Sequence, residues 1–247
     1  MTIDAAANLG STTKVTETPD CVGCVGPYRT VNLSKIIDPK VERRRCRLYR
    51  HATVVQGVAD YHTDIDIVTH LGTHVEAPYH HANLTKDVVD LPADHYVERG
   101  ILLKLDSCEP RGLIRRSDLD AASRGRVRPG DVVLLDSPYQ SEPFMESPDD
   151  QRPDLSRESA EWFLEKRVRA VGFGNGVAIE NNAEHCVACH DILLGNDILF
   201  IEVLKNLDKL QDDIFLIIYM PLPIRGLDSS PVNVMAIEGI PGFTSHD

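Results

Sequence analysis

Short runs of β-branched and other apolar residues recur along the chain, and most of them are bordered by Gly, Pro or Asp. They are RTVNL (29–33), ILLKL (101–105), VVLLD (132–136), AVGF (170–173), ILFIEV (198–203), IFLIIY (214–219) and VNVMAI (232–237). Runs of this length with such borders favour β-strands over helices. The chain is therefore predicted to build a β-rich sheet.

Two segments between these runs have the features of helices. In SRESAEWFLEKRV, Ser156 is a suitable N-cap, and the apolar residues that fall on one helical face are Ala160, Phe163, Leu164 and Val168. A shorter helix is predicted over residues 186–194, with Gly195 as its C-cap. The Pro- and acid-rich segment 138–155 is typical of an exposed loop.

The length of 247 residues is enough for one sizeable core. The predicted fold class is α/β, a single compact domain over residues 28–247 in which helices flank a β-rich mixed sheet. Residues 1–27 are rich in Thr, Ala, Asn and Gly without any periodicity, which predicts a flexible N-terminal arm.

The acidic balance of the chain argues against nucleic acid as a partner. The net charge is −12, from 26 basic and 38 acidic side chains, so the protein repels phosphate backbones and anionic lipid surfaces. One basic cluster, Arg43–Arg45 with Arg47 and Arg50, is predicted to be a strand face that is solvated or contacts another subunit.

The sequence also argues against a membrane partner. No stretch approaches the roughly 18 consecutive apolar residues that a transmembrane helix needs. Residues 1–14 lack the apolar run of a signal peptide. We therefore expect a cytoplasmic protein.

Two of the cysteine pairs have the spacing Cys-x-x-Cys. They are Cys21 with Cys24, and Cys186 with Cys189. Pairs of a structural zinc site are usually separated by about 12 to 20 residues, whereas most of the chain separates these two. Reduced and packed thiols are the favoured interpretation, with a redox pair or a second metal site as the alternatives.

The densest concentration of possible metal ligands is the segment HLGTHVEAPYHH, residues 70–81. It contains His70, His74, Glu76, His80 and His81 within twelve positions. Two imidazoles and one carboxylate leave coordination positions open for water, which is the arrangement of a catalytic metal. Gly and Pro within the segment indicate a loop at the end of a strand instead of a helix.

This segment resembles the H-x-G-T-H-x-D-x-P-x-H signature of the cyclase-like metal hydrolases, a family that includes bacterial kynurenine formamidase and isatin hydrolase. Other stretches also resemble the family, so the similarity extends from about residue 29 to residue 238; they are VNLS (31–34), LSRESAEWFLEKRVRAVGFG (155–174), HDILLGNDILFIEVLKNLDKL (190–210) and PLPIRGLDSSPVNVMAI (221–237). The resemblance implies the swivelling β/β/α fold of kynurenine formamidase.

The resemblance also implies roles for individual residues. It makes His70, His74 and Glu76 ligands of a divalent metal and His80 the group that transfers protons. In members similar to kynurenine formamidase, a histidine and a glutamate twelve positions apart hold a second metal, and here His190 and Glu202 have that spacing. The implied cofactor is zinc or manganese, with one or two ions per subunit.

The chain departs from the family pattern at two positions. Glu76 replaces the usual aspartate, and its extra methylene changes the reach of the carboxylate. Gly174, in GFGNG, stands where many relatives have an aspartate, which predicts a different substrate end of the pocket. Tyr61, His62 and His81 either line the pocket or lie on the surface.

The predicted activity is hydrolysis of an amide, a cyclic imide or lactam, or a lactone in a small molecule, by a water that the metal activates. The alternatives are a metal-dependent cyclase or lyase and a non-catalytic protein that a metal stabilises. The resemblance further implies a homodimer or a homotetramer.

Overall fold

The structure, a computed structural model, describes residues 20–144 and 147–244, which form twelve strands and three α-helices. The strands, in chain order, are β1 (Val22–Val25), β2 (Tyr28–Asn32), β3 (Cys46–Val55), β4 (Val58–Ile67), β5 (His74–Glu76), β6 (Val97–Lys104), β7 (Val132–Asp136), β8 (Ala170–Gly174), β9 (Leu199–Leu204), β10 (Ile214–Ile218), β11 (Ser229–Pro231) and β12 (Met235–Glu238). The helices are α1 (Arg116–Ser123), α2 (Arg157–Lys166) and α3 (Ala183–Leu193).

Ten of the strands form one mixed sheet in the order β1-β2-β12-β10-β6-β7-β8-β9-β5-β11. Strands β6, β7, β8 and β9 pair in parallel, and the remaining pairs are antiparallel. Parallel strands are covered on both faces, which explains why the sequence of these four reads as continuous apolar runs. The predicted β-rich α/β fold is confirmed.

Each face of the sheet has its own apolar core. The helices cover one face, where Trp162, Phe163 and Cys189 pack with Val171 and Phe200. The other face buries residues from β2, β10 and β12 together with alternate residues of the central strands. The two cores share the sheet, so the described residues make one compact domain.

Helix α2 begins as its sequence predicts. The Ser156 hydroxyl accepts a hydrogen bond from the Ser159 N–H at 3.1 Å, which caps the first turn. The end of α3 differs from its prediction, because the helix continues directly into a 3₁₀ turn over Leu194–Asn196. Asp197, with a φ of 60°, takes the left-handed position that was assigned to Gly195.

The prediction of a flexible arm over residues 1–27 needs correction at its C-terminal end. Residues 1–19 lie outside the described residues, whereas Val22–Val25 form strand β1, which pairs with β2 in an antiparallel ladder. Hydrogen bonds to β2 pair the backbone N–H and C=O groups of this segment. The mixed composition of residues 1–27 gave no sign of this strand.

Strands β3 and β4 form a separate two-stranded hairpin that the apolar runs did not predict. Arg47 and Arg50 lie on β3 and are exposed, but they are three positions apart and so on opposite faces, and Arg43–Arg45 precede the strand. The prediction that the five arginines share one strand face is therefore wrong. No helix in the described part of the chain is both long and apolar enough to cross a bilayer.

Candidate metal centre

The short strand β5 carries two of the predicted ligands on one face. It lies between β9 and β11, so that His74 is directly opposite Glu202 and Glu76 is directly opposite Ser229. Side chains two residues apart in a strand share a face, and directly opposite residues share it too. His74, Glu76 and Glu202 are all buried there, with exposed fractions of 0%, 3% and 3%.

Two more histidines flank this strand. The loop before β5 holds His70, whose Nδ1 lies 2.7 Å from Oε1 of Glu76. That loop turns at Gly72, where φ is +60° and a Cβ would lie 2.8 Å from the side chain of Ile37, so only glycine fits without displacement. After β5, a 3₁₀ turn that starts at a proline ends at His80, and its Nε2 lies 3.8 Å from the same glutamate oxygen.

Helix α3 and strand β9 bring the two remaining predicted ligands. His190 Nε2 lies 3.7 Å from Oε2 of Glu76, and its Nδ1 lies 2.8 Å from the Cys186 carbonyl oxygen. Since a carbonyl only accepts, Nδ1 is the protonated nitrogen and Nε2 faces the cluster. Glu202 Oε2 lies 3.5 Å from His74 Nε2.

The ligand atoms form compact sets of three. Within the described residues, the sets whose atoms all lie within 4.8 Å of one another are His70–His74–Glu76, Glu76–His80–His190 and His70–His80–Asp228. Glu76 belongs to two of them, and its two oxygens face different histidines. Glu202 joins none of these sets and reaches the cluster only through His74.

Sequence reasoning missed Asp228, in the loop before β11. Its Oδ2 lies 2.9 Å from Nε2 of His70 and 3.5 Å from Nδ1 of His80, while the Thr69 hydroxyl donates to Oδ1 at 3.0 Å. One signal was available, because Asp228 is the only acidic residue in the stretch 221–237 that resembles the family. The sequence around Asp228 gave no indication of which histidines it contacts.

The chemistry of the cluster fits a divalent cation. Nε2 of His74 and Oε2 of Glu76 are buried without any hydrogen-bond partner, although buried polar atoms are normally paired. Imidazole nitrogen together with carboxylate oxygen is a ligand set that Zn²⁺ and Mn²⁺ accept. An ion held by these side chains supplies the missing partner for both atoms.

The two buried glutamates differ in their electrostatics. Burial raises the pKa of Glu202, and the neighbouring charge of Glu76 raises it further. Burial also raises the pKa of Glu76, but the neighbouring imidazoles of His190, His70 and His74 outweigh it and hold that pKa well below its ordinary value. The negative charges of the two carboxylates repel each other, and a bound cation would relieve that repulsion.

The histidines also differ from one another. Burial lowers the pKa of His80, and the charges of His70 and His190 lower it further, against an opposing effect of Glu76. Burial alone would lower the pKa of His190, but the thiol and carbonyl of Cys186 together with Glu76 raise it to about 10. Of these two histidines, His80 is therefore the one more ready to be neutral, which is the form that can accept a proton.

Several other residues singled out by the sequence lie away from the centre. His81 contacts Asp191 at 2.7 Å on the surface side of α3, and His185 Nδ1 accepts the Arg157 N–H at 3.1 Å. Tyr61 and His62 belong to the exposed hairpin and do not line the pocket of their own chain.

The cysteine pairs make no metal site in the described chain. Cys189 is buried, and its thiol contacts the Ser156 carbonyl at 3.4 Å. All six cysteines are free, and no set of clustered ligands among the described residues includes one. Of the four cysteines in the two pairs, Cys189 is buried and Cys24 is exposed, so the favoured interpretation of packed thiols holds for Cys189 and is wrong for Cys24.

Close packing against the backbone of β9 explains why a glycine stands at position 174, which the family motif alone did not show. It ends β8 where the pairing with β9 is irregular, and a Cβ there would lie 1.9 Å from the Leu204 carbonyl oxygen. An aspartate at this position would require the β9 backbone to move.

A pocket of about 270 Å³ opens beside the centre and includes His70 in its wall. Lys35, Ile36, Val41, Arg44 and Phe144 contribute to its lining. The Arg44 guanidinium lies 4.7 Å above the ring of Phe144 and donates a hydrogen bond to the His70 carbonyl. The pocket thus gives a small molecule access to the ligand cluster from outside.

A family model described as "Putative cyclase" matches residues 8–176, more than half of the chain. The chain belongs to this cyclase family. Kynurenine formamidase from Bacillus cytotoxicus is 28% identical over 170 residues, which covers 67% of this chain and 75% of that protein. The Erythrobacter litoralis kynurenine formamidase is 27% identical over 156 residues, covering 63% of this chain and 67% of that protein.

Solved structures show the same cyclase fold. Isatin hydrolase A from Labrenzia aggregata, bound to benzyl benzoate, has a TM-score of 0.70 at 20% identity and covers 86% of this chain and 94% of that chain. A predicted metal-dependent hydrolase from Bacillus stearothermophilus has a TM-score of 0.64 at 20% identity, covering 86% and 99%. The family resemblance stated from the sequence is confirmed.

Proposed function

We propose that this cyclase-family protein is a metal-dependent hydrolase that opens the C–N bond of an amide, cyclic imide or lactam in a small molecule, with lactones as a further substrate class. The observation that carries the proposal is the pair of buried atoms without partners, His74 Nε2 and Glu76 Oε2. Kynurenine formamidases and isatin hydrolases among the related proteins support the substrate class.

The proposed first ion is held by His70, His74 and Glu76, and the ion is Zn²⁺ or Mn²⁺. A second ion would take His190 and Glu202, with Glu76 between the two because its oxygens face different histidines. A cation held there supplies Lewis acidity, which polarises a carbonyl and makes water acidic enough to yield a nucleophile near neutral pH.

His80 is the proposed proton carrier. Its ring is 30% exposed at the edge of an otherwise buried cluster, so a substrate can reach it. It takes a proton from the attacking water and delivers it to the departing nitrogen or oxygen. Asp228 lies 3.5 Å from its Nδ1 and orients the ring as a positioning residue.

A direct test combines metal content with product mass. The metal-free protein, reconstituted separately with Zn²⁺ and Mn²⁺, is assayed on an aryl formamide, a cyclic imide and a lactone. We expect turnover only with metal and a product heavier than the cyclic substrates by one water. A product of unchanged mass would show a cyclase or lyase instead.

The role of His80 is tested with His80→Gln, which keeps a polar side chain of similar length. We expect kcat to fall by about 10²-fold to 10⁴-fold, as for other general acid–base groups, while metal content stays the same. Full turnover in this variant would contradict the role given to His80.

A further inference from the structure

A half-buried guanidinium in the wall of the pocket beside the metal centre has no carboxylate partner in the described chain. The Arg44 side chain donates a hydrogen bond to the His70 carbonyl oxygen, but it forms no ion pair among the described residues. Its neighbour Arg45, by contrast, contacts Asp66 at 3.1 Å. A guanidinium has five N–H donors, so one carbonyl leaves most of those of Arg44 available.

The other charged side chains around the pocket do not take up these donors. The carboxylates of the described lining have partners of their own, which are Lys35 for Glu42 at 3.4 Å, Lys205 for Glu142 at 2.7 Å and the Lys40 N–H for Asp38 at 2.9 Å. The remaining cation of the lining, Arg43, is exposed. Arg44 is therefore the cation of the lining that combines partial burial with donors available to a bound molecule.

An aromatic ring restrains this guanidinium and leaves its donors available. The central carbon of the Arg44 guanidinium lies 4.7 Å above the centre of the Phe144 ring. A cation over an aromatic face is attracted to it without any use of its N–H groups. Those groups stay available for a carboxylate, which a guanidinium binds through two parallel N–H···O bonds.

The backbone of Phe144 indicates that the fold imposes this contact. Its φ is 58°, in the left-handed region that bulky residues rarely occupy. The Phe144 N–H donates to Glu180 Oε1 at 2.8 Å, and Arg152 donates to the same oxygen at 2.7 Å. Unfavourable backbone conformations persist where the surrounding structure holds them, and they concentrate at functional sites. The buried Arg152 cluster thus helps to hold the ring beside Arg44.

Arg44 and the metal centre are close enough for one small molecule to contact both. The guanidinium is bonded to the backbone of His70, whose Nδ1 lies 2.7 Å from Glu76. His70 and Arg44 both belong to the wall of the pocket of about 270 Å³. A carboxylate bound at Arg44 therefore leaves the rest of the same molecule in that pocket, beside the ligand cluster.

We propose that Arg44 binds a carboxylate of the substrate, so that the substrates are amides, imides, lactams or lactones that carry a carboxylate in addition to the bond that opens. The reaction in this statement rests on the proposed function, whereas the affinity of Arg44 for a carboxylate does not. A neutral substrate of the same shape leaves the guanidinium desolvated without an acceptor, which is the situation that gives strong discrimination.

The test compares acidic and neutral substrates of nearly the same shape. One pair is formamidobenzoate and formamidoacetophenone, and another is carboxyphthalimide and acetylphthalimide. Hydrolysis creates a carboxylate at the reacting carbon in every case, so within a pair only the ring substituent differs in charge. The ratio of kcat/KM for the acid to kcat/KM for the neutral compound is measured with the metal-loaded protein.

Two matched variants each remove one positive charge from neighbouring positions. Arg44→Met keeps a long side chain without the guanidinium, whereas Arg45→Met removes a guanidinium that is paired with Asp66 and lies outside the pocket lining. A third variant, Arg44→Lys, keeps the charge but loses the two-pronged geometry. Metal content is measured for every variant, since Arg44 also donates to the His70 carbonyl.

We expect the wild type to prefer the acid of each pair. Arg44→Met should lower the acid-to-neutral ratio by about tenfold to a hundredfold, mainly through KM for the acid, because a hydrogen-bonded ion pair is lost. Arg44→Lys should lower the ratio less, and Arg45→Met should keep it. A wild type that prefers the neutral compounds overturns the proposal. Equal losses for acid and neutral compound in Arg44→Met also overturn it, because Arg44 would then act only on the His70 loop.

A binding measurement decides on Arg44 even if none of these compounds is turned over. Isothermal titration calorimetry gives the dissociation constants of benzoate and benzamide for the wild type and the two methionine variants. We expect the wild type and Arg45→Met to bind benzoate at least about tenfold more tightly than benzamide, and Arg44→Met to lose that difference. A preference for benzoate that survives in Arg44→Met would place the carboxylate elsewhere and reject the role of Arg44.

The same measurements separate this inference from the proposed function. Turnover of the neutral compounds, together with equal binding of benzoate and benzamide by the wild type, would keep the hydrolase and reject the role of Arg44. Binding of benzoate that depends on Arg44, without turnover of any compound, would keep the carboxylate site and reject the hydrolase.

Discussion

Two buried clusters of charged side chains lie in the same domain and differ in one respect. Around Arg152, which is 1% exposed, every guanidinium nitrogen has a partner: Asp150 and Glu180 at 2.7–3.1 Å, and the Val177 carbonyl at 3.3 Å. Around Glu76, by contrast, two buried atoms have none. The first cluster pairs all of its guanidinium nitrogens within the chain, whereas the second leaves two buried atoms for a group that the chain does not supply.

This difference distinguishes these two clusters more clearly than burial or charge density does. The carboxylates around Arg152 are balanced by a cation that the chain itself supplies. The ion-pair contacts of Glu76 and Glu202 among the described residues are with histidines, and His74 Nε2 lies 3.5 Å from an oxygen of each. Under the proposed function, a metal cation would take the place in the second cluster that arginine takes in the first.

The largest expected effect comes from removing a ligand of the incomplete cluster. His74→Ala should lower turnover by about 10³-fold or more, because several kcal/mol of stabilisation by the metal are lost. Metal content by mass spectrometry and activity on formamides, imides and lactones are the measurements. The matched control is His185→Ala, which removes a histidine that caps a neighbouring helix. This variant should keep both the metal content and the activity. Metal and turnover retained in His74→Ala would rule out the site.

A substitution in the Arg152 cluster should lower the stability of the fold instead of the activity. Arg152→Met leaves Asp150 and Glu180 buried without their cation, so the free energy of unfolding should fall by about 3 kcal/mol or more. Arg116→Met removes an exposed pair with Glu165, which solvent screens, and should lower the free energy of unfolding far less. Denaturant unfolding measures both. Equal losses in the two variants would contradict the structural role of the Arg152 cluster.

An intermediate effect is expected at the edge of the metal centre. Asp228→Asn weakens the orientation of His70 and His80, and loss of such a partner typically reduces metal affinity by about 10-fold to 100-fold. Asp191→Asn, which removes a similar contact to His81, should leave the affinity unchanged. Competition with a metal-binding dye gives the affinities. If both variants bind metal like the wild type, Asp228 has no positioning role.

The smallest effect concerns Asp154, beside the Arg152 cluster. Burial, together with the charges of Glu180 and Asp150, raises the pKa of Asp154 to about 6. A raised pKa means that the folded protein holds the proton more tightly than the unfolded chain, so the stabilisation present below pH 3.8 is lost as pH rises through 6.

Asp154→Asn should therefore stabilise the protein near pH 7.5 by roughly 1 kcal/mol, under a limit of about 3 kcal/mol, and have little effect at pH 4. Unfolding curves of the variant and the wild type at the two pH values give the difference. The same stabilisation at both pH values would show that ionisation of Asp154 is not its cause.

The elements that could be predicted were those whose local sequence by itself indicates a strand or a helix. The central parallel strands have continuous apolar sequences because both faces are buried, and α2 has both a cap and an apolar face. Strand β5 was not predicted, because two of its three residues, His74 and Glu76, are polar candidate ligands and only Val75 between them is apolar. Helix α1 was missed since its sequence, RSDLDAAS, is mostly polar.

The candidate site divides in a similar way. His70, His74, Glu76 and His80 are close in the sequence, so their proximity in space was predictable. Asp228 is 158 positions from His70, and only the pairing of β11 with β5 brings it there. Glu180 accepts a hydrogen bond from Arg152 at 2.7 Å, and no local pattern identifies that partner.

The position of β5 between β9 and β11 also fixes when the centre can form during synthesis. Its neighbours include Ser229–Pro231, so the ribosome must release nearly the whole described chain before His74 and Glu76 gain both flanking strands. Nascent chains that stop earlier lack Asp228 as well. Uptake of the proposed ion would thus be coupled to completion of the domain and would distinguish finished molecules from partly folded ones.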